Sequence, residues 1–225
     1  MKNTKRLSKT ELLETNPFEM KNIVVFGDTA FGERLAKYVI FEGADKLVGF
    51  TQEDGYCSKE CLLGLPVIPL SDLKGKKDIE ILIAIGYTKM NNLREKIYSM
   101  LKEEGFSICT WISSKAIVYS DAIGEGTIIL PNVMIGPGCK IGKCNFFESS
   151  VSLSHDNKIG DFNFFSTNCV LGGFAEIKNH CFMGLNCTVK SDICISDYTL
   201  LGCGSNMLKN SEMGGGIFWK PSKAS

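Results

Sequence analysis

Residues 153–162 read LSHDNKIGDF, and within them stand His155, Asp156 and Asp161. His155 is one of two histidines in 225 residues. An imidazole has an unperturbed pKa of about 6.5, so it can take up and return a proton near neutral pH. A carboxylate beside it orients the ring and stabilises its cation, as the acid of a Ser-His-Asp triad does. The cluster points to general-base chemistry at His155, with Asp156 and Asp161 both in reach as partners. A second stretch with chemical potential is GDTAFGER, residues 27–34. Its two glycines are spaced like a phosphate loop, but Glu33 and Arg34 replace the Lys and Ser/Thr such a loop requires, which excludes an NTPase. A tight turn into a helix start still offers N–H groups to a diphosphate, with Arg34 or Arg94 adding charge. A plain strand-to-helix turn explains the same residues.

Bulk composition narrows the ligand classes. Twenty-five basic residues balance twenty-five acidic ones, so no overall field attracts nucleic acid or an anionic membrane. No apolar run reaches the roughly 20 residues that span a bilayer, and the charged start MKNTKRLSKTELLETNPFEM lacks a signal-peptide centre, so a cytoplasmic location is expected. Without an export signal the ten cysteines are expected to be reduced. Cys57 and Cys61 have the wrong spacing for a CxxC pair and no histidine nearby, and they read as loop thiols rather than a zinc site.

The elements that hold these residues have two periodicities. In the first half, NIVVFG (22–27), KLVGFT (46–51), LPVIPL (65–70) and IEILIAIG (79–86) are buried-strand patterns. AFGERLAKYVIFEG and NNLREKIYSMLKEEG (91–105) are helical patterns closed by glycine. Alternating elements predict a small parallel α/β sheet over residues 21–110, after an extension over 1–20. The second half has a period of six. Stepping by six from Ile117 to Met207 meets sixteen large apolar residues in succession, among them Ile123, Ile129, Phe147, Leu153, Ile159 and Phe165. Four positions after each, eleven of the sixteen residues are Thr, Val, Cys, Ala or Ser, including Thr127, Val133, Cys139, Cys169, Ala175, Cys181 and Cys187. A fixed short period marks a solenoid whose units bury their faces only against neighbours. Three hexads make an eighteen-residue coil, so five coils of a triangular β-helix are expected within 111–212, followed by a tail over 213–225. The cysteines at the small-residue position are expected to be inert core thiols. His155 stands two residues after the interior Leu153, on a solvent-facing turn. His180, three after Ile177, reads as a turn residue.

The run IGEGTIILPNVMIGPGCKIG resembles the left-handed parallel β-helix of hexapeptide acyltransferases. With the α/β half before it, and with VVFGDTAFGERLA, LVGFTQED, AIGYTKMNNLREKIY, SHDNKIGDF and FWKPSK in that order, residues 21–223 resemble the sugar acyltransferases typified by sialic acid O-acetyltransferase and bacillosamine N-acetyltransferase. The resemblance implies a Rossmann-like domain binding a nucleotide-linked sugar, acetyl-CoA as co-substrate, no metal, and a homotrimer with coenzyme between subunits, serving lipopolysaccharide or glycan biosynthesis. It implies His155 as the catalytic base with Asp156 beside it. Sugar-nucleotide contacts carry over to Gly27, Asp28, Thr29, Ala30, Phe31, Thr51, Gln52, Gly86, Tyr87, Arg94 and Glu148. Gly173 lies one coil beyond His155, about 4.8 Å along the solenoid, and its N–H is expected to hold the thioester oxygen. Gly184, Gly202, Gly204 and Pro221 are expected around the coenzyme. Three positions depart from the family pattern: Thr51 and Gln52 replace paired aspartates, Glu148 replaces a common asparagine, and Phe164 replaces a second histidine.

Competing functions are separable. A γ-type carbonic anhydrase needs three zinc-binding histidines and this chain has two. A nucleotidyltransferase would need a larger glycine-rich N-terminal domain. An N-acyltransferase is therefore expected, with a sugar O-acetyltransferase or a non-catalytic sugar-nucleotide-binding homologue as alternatives.

Overall fold

The computed structural model describes residues 21–211 and 216–218. The extension over 1–20, and Pro221 within the terminal motif, lie outside the described residues. The first half runs β1 (Asn22–Phe26), α1 (Ala30–Glu42), β2 (Lys46–Gln52), β3 (Cys61–Leu62), β4 (Leu65–Pro69), β5 (Ile79–Ile83) and α2 (Asn92–Glu103). The sheet order is β3-β4-β2-β1-β5. It is mixed rather than purely parallel, because β3 folds back antiparallel on β4. That hairpin turns through Leu63 and Gly64, both left-handed at φ 53° and 75°, a geometry suited to a two-residue connection. Leu35, Ala36 and Val39 bury against the sheet, and Gly43 ends α1 in the left-handed conformation with its N–H on the Val39 carbonyl.

From Trp111 onward the chain is a triangular parallel β-helix of two-residue strands. Phe146 pairs with Ile128 and Phe164, and Ser152 with Met134 and Val170, at eighteen-residue steps. All fourteen period-six residues from Ile129 to Met207 are buried in one interior cluster. Phe147 and Phe165 stack inside it at 4.6 Å. Buried thiols fill the small-residue position, and burial pushes the Cys181 thiol up to about 12, which removes it from nucleophilic chemistry. Asparagine stands there at three positions; Asn157 donates to the His155 carbonyl but leaves its buried Oδ1 without a partner, whereas the other two are fully used. Asn145 donates to the carbonyls of Gly142 and Gly160 and accepts the Asn163 N–H, and Asn163 repeats the pattern toward Lys178 and Cys181. The eighteen-residue register breaks at both ends, Leu200 and Ile217 being seventeen positions apart like the pairs of the first coil. Ile112 pairs with Ile129 and Val118 with Ile135, seventeen positions apart in both cases. Val118 therefore packs toward the core, and Ile117, expected inside, is 55% exposed. At the other end Ile217–Phe218, expected in a tail, pairs in parallel with Leu200–Leu201 and extends the solenoid.

The three faces differ in what they turn outward. The covered face carries Ile128, Phe146, Phe164, Phe182 and Leu200, with the three phenylalanines stacked at 5.1 and 5.7 Å. The α/β half lies over it, and Trp111, Ile128, Leu130, Phe146 and Phe164 join Val25, Leu35 and Val39 in one buried cluster. The flat face carries Ile117, Met134, Ser152, Val170, Thr188 and Asn206, none charged. The charged face carries Lys140, Lys158, Glu176 and Cys194. α1 meets the corner between covered and flat faces, where Arg34 binds Glu148 and Glu42 binds Ser113. α2 meets the corner between charged and covered faces. There Arg94 donates to the carbonyls of Cys144 and Asn163 at 2.9 and 3.1 Å, to that of Ile85 at 3.0 Å, and to the Asn91 side chain at 3.0 Å.

Arg94 is thus a buried rivet between the two halves. Burial lowers its pKa to about 10, which still leaves it cationic near neutrality. Arg94→Met strands three acceptors, since the Asn163 carbonyl keeps the Phe146 N–H, and should destabilise the protein by about 3 kcal/mol, read from the guanidinium midpoint at unchanged slope. Phe147→Ala opens a cavity in the interior stack and should cost about 4 kcal/mol in the same measurement.

Candidate active site at the flat–charged corner

The turn from Leu153 to Lys158 joins the flat face to the charged face and carries His155. The backbone there is fixed from both neighbouring coils. Asp156 is left-handed at φ 56°, a conformation that aspartate tolerates, and its N–H donates to the Pro137 carbonyl at 2.9 Å. The carbonyl of His155 accepts from the Phe174 N–H and from the buried Asn157 amide, both at 3.1 Å. With the backbone held at three points, the ring points outward and is half exposed.

Asp156 is the partner of His155, its Oδ2 lying 2.9 Å from Nδ1. Asp161, the alternative, serves the charged–covered corner: it accepts the Lys143 N–H at 2.9 Å and gives its own N–H to Asn179. Gly173 lies one coil on, against the other edge of the imidazole. A Cβ at this position would sit 2.6 Å from Cε1 and Nε2, so only glycine admits the ring as placed. Phe174 meets the ring edge-on at 5.0 Å and 89°. It is a contact the sequence reading missed, although an aromatic beside a proposed oxyanion glycine was visible there. His180 is buried between Phe162 and Tyr198, and its Nδ1 faces the Met90 carbonyl at 3.3 Å.

The expected sugar-nucleotide residues fall elsewhere. Phe31, Gly86, Tyr87 and Glu148 line a cleft of about 520 Å³ at the covered–flat corner, together with Arg34, Phe164, Phe182 and Leu185. Tyr87 lies over Phe182 at 4.1 Å, and Phe164, which replaces a histidine, belongs to the stacked wall. Glu148 is held bidentate by Arg34 at 2.6 and 2.9 Å. Ser166, Gly184 and Gly202 follow Glu148 up this corner, and the backbone of residues 201–203 passes so close to Gly184 that a Cβ would meet it at 2.6–2.8 Å. Gly204, at φ 70°, faces open space.

Around the first turn of α1, Gly27 gives its N–H to the Thr51 carbonyl at φ 125°, and Thr29 and Ala30 are exposed. Asp28 is buried and accepts from Gln52 at 3.0 Å and from the Ser58 N–H and hydroxyl at 2.8 and 2.6 Å. Burial opposes its charge, but these donors more than offset that and hold the carboxyl below its ordinary range. Two expected contacts are corrected. Thr51 is fully buried with its hydroxyl on the Ile68 carbonyl at 2.7 Å, and Arg94 is enclosed among backbone carbonyls, so neither reaches a ligand surface.

Within one chain His155 and the cleft therefore stand on opposite edges of the flat face. Among the described residues no group of three His, Cys, Asp or Glu side chains is placed to hold a metal ion. No helix there is long and apolar enough to cross a membrane.

No family model matches the chain. Solved structures do. The acetyltransferase domain of PglB from Neisseria gonorrhoeae superposes with a TM-score of 0.72 at 19% identity, over 84% of this chain and 92% of that one. PerB from Caulobacter crescentus, solved in complex with CoA and GDP-perosamine, gives 0.74 at 21% identity over 84% and 89%. WeeI from Acinetobacter baumannii gives 0.74 at 24% identity over 85% and 93%. At these identities the likeness is one of fold: an α/β domain followed by a parallel β-helix is the architecture this chain shares with them.

Proposed function

We propose that this chain is an acyltransferase that moves an acetyl group from coenzyme A to the amine of a nucleotide-linked amino sugar, with His155 as general base. The observation that carries the proposal is the corner itself: an outward imidazole whose Nδ1 is fixed by Asp156 and whose Nε2 edge lies against Gly173. The same architecture in PerB, solved with CoA and GDP-perosamine, supports the choice of substrates.

Transfer proceeds by direct attack. The amine nitrogen bonds to the thioester carbonyl carbon while its proton passes to His155 Nε2. The Gly173 N–H, which no described backbone acceptor takes up, faces the developing oxyanion. Collapse of the tetrahedral intermediate breaks the C–S bond, and the proton held by His155 goes to the departing sulfur. Asp156 stabilises the imidazolium between these two steps.

A homotrimer completes the site in this reading. Three copies with their uncharged flat faces toward a common axis bring the cleft corner of each beside the His155 corner of the next. Rotation about an axis along the solenoids conserves coil level, and Glu148 and His155 belong to one coil. The Arg34–Glu148 pair and the aromatic cleft then face the neighbour's base, so the sugar lies between subunits.

His155→Asn should lower kcat/KM for acetyl transfer to UDP-, dTDP- or GDP-linked amino sugars by roughly 10²–10⁴, with the melting temperature and sugar-nucleotide binding unchanged. Wild-type enzyme that acetylates none of these substrates, while still binding them, would leave only the non-catalytic homologue. Acetylation of a sugar hydroxyl instead would identify the O-acetyltransferase. Asp156→Asn removes the carboxylate that fixes Nδ1 and should lower kcat by at least about 10-fold, with KM for the sugar nucleotide nearly unchanged. Gly173→Ala should cost at least ~10² in kcat by displacing the ring and the oxyanion donor together, and acetyl label retained covalently on the protein would refute direct attack.

A further inference from the structure

The flat-face assembly has a second contact zone two coils below His155. There α1 and the first coils enclose a groove of about 550 Å³ lined by Arg34, Lys37, Tyr38, Phe41, Lys115 and Asn132 among others. Phe41 is 78% exposed although it is a large aromatic on a helix, and Lys115 Nζ lies 4.4 Å above its ring. The groove's carboxylate, Glu42, is already held by the Ser113 hydroxyl and the Ser114 N–H. Of its cations, Arg34 is held by Glu148 and Lys37 by Glu33 at 2.7 Å, which leaves Lys115, over the exposed Phe41 ring, with no carboxylate partner among the described residues.

The complementary feature stands at the same level on the opposite edge of the flat face. Lys115 and Tyr119 both belong to the first coil, bonded to Asn132 and Ile135 of the second. Tyr119 is 66% exposed and Asp121 is exposed. Their turn is rigid: the Ser120 hydroxyl donates to the Cys139 carbonyl at 2.7 Å and accepts the Ala122 N–H at 3.1 Å. An aromatic carried on a fixed turn loses little entropy on docking.

Resting on the three-fold reading above, we infer that Tyr119 of a second copy seats in this groove, its ring against Phe41 and Tyr38, with Asp121 facing Lys115. Aromatic anchors in pockets are where interface energy concentrates. The contact is heterologous, cleft edge to base edge, so a three-fold ring closes it.

Sedimentation equilibrium on the full chain tests the anchor. Tyr119→Ala and Lys115→Glu should each weaken self-association by at least about 10-fold, and adding Asp121→Lys to Lys115→Glu should restore it to within about 3-fold of wild type. All three positions are exposed, and circular dichroism should show the variants folded. Phe41→Cys combined with Tyr119→Cys should give covalent trimers on oxidation, absent when either change is made alone. Trimers of Tyr119→Ala and Lys115→Glu as tight as wild type overturn the anchor and leave the assembly standing. A wild-type monomer at every concentration overturns the assembly, and the anchor with it.

Discussion

Every feature of the second half depends on one spacing constraint: the strands of a coil pair with those eighteen residues on, each strand N–H finding its carbonyl on the next coil. That requirement stacks equivalent residues directly over one another and turns sequence periodicity into columns. Interior columns become a continuous core of leucine, isoleucine and phenylalanine. Corner columns become ladders, such as the one in which Asp161, Asn179 and Asp197 each accept the backbone N–H of the coil before. A ladder leaves few backbone donors unmet, so it can run unbroken along a whole edge.

The columns also divide labour among the three corners. One holds α1 through the Arg34–Glu148 pair, one holds α2 through Arg94, and the third is left without a helix and carries His155. Docking the α/β half through two corners and the phenylalanine wall fixes it rigidly while keeping it away from His155. The separation of His155 and cleft by the width of a face follows from this arrangement.

Much of this was legible in the residues. The period of six gave the solenoid, the interior set from Ile129 to Met207 and the outward turn of His155. Alternating strand and helix patterns gave β1, β2, β4, β5 and both helices. Other features needed three dimensions. The choice of Asp156 over Asp161 depends on which side of a corner each carboxylate leaves, which spacing does not encode. Arg94 reads as a cation for the sugar nucleotide because its acceptors, the carbonyls of Cys144 and Asn163, lie fifty or more positions away. The covered face was readable but unread: the residue before the interior one is Ile128, Phe146, Phe164, Phe182 and Leu200 at every third hexad, an apolar stripe with no reason to face water.

The seventeen-residue first coil bears on how such a chain can change over generations. A residue lost inside the solenoid would flip every strand of one later coil against its neighbours, burying lysines and exposing core aliphatics at once. Lost before Ile123, it disturbs only the outermost layer, where no coil lies beneath to fall out of step. Deletions and insertions should therefore accumulate at the mouth of the solenoid and be purged from its length, leaving the end coil as the part of the repeat open to drift.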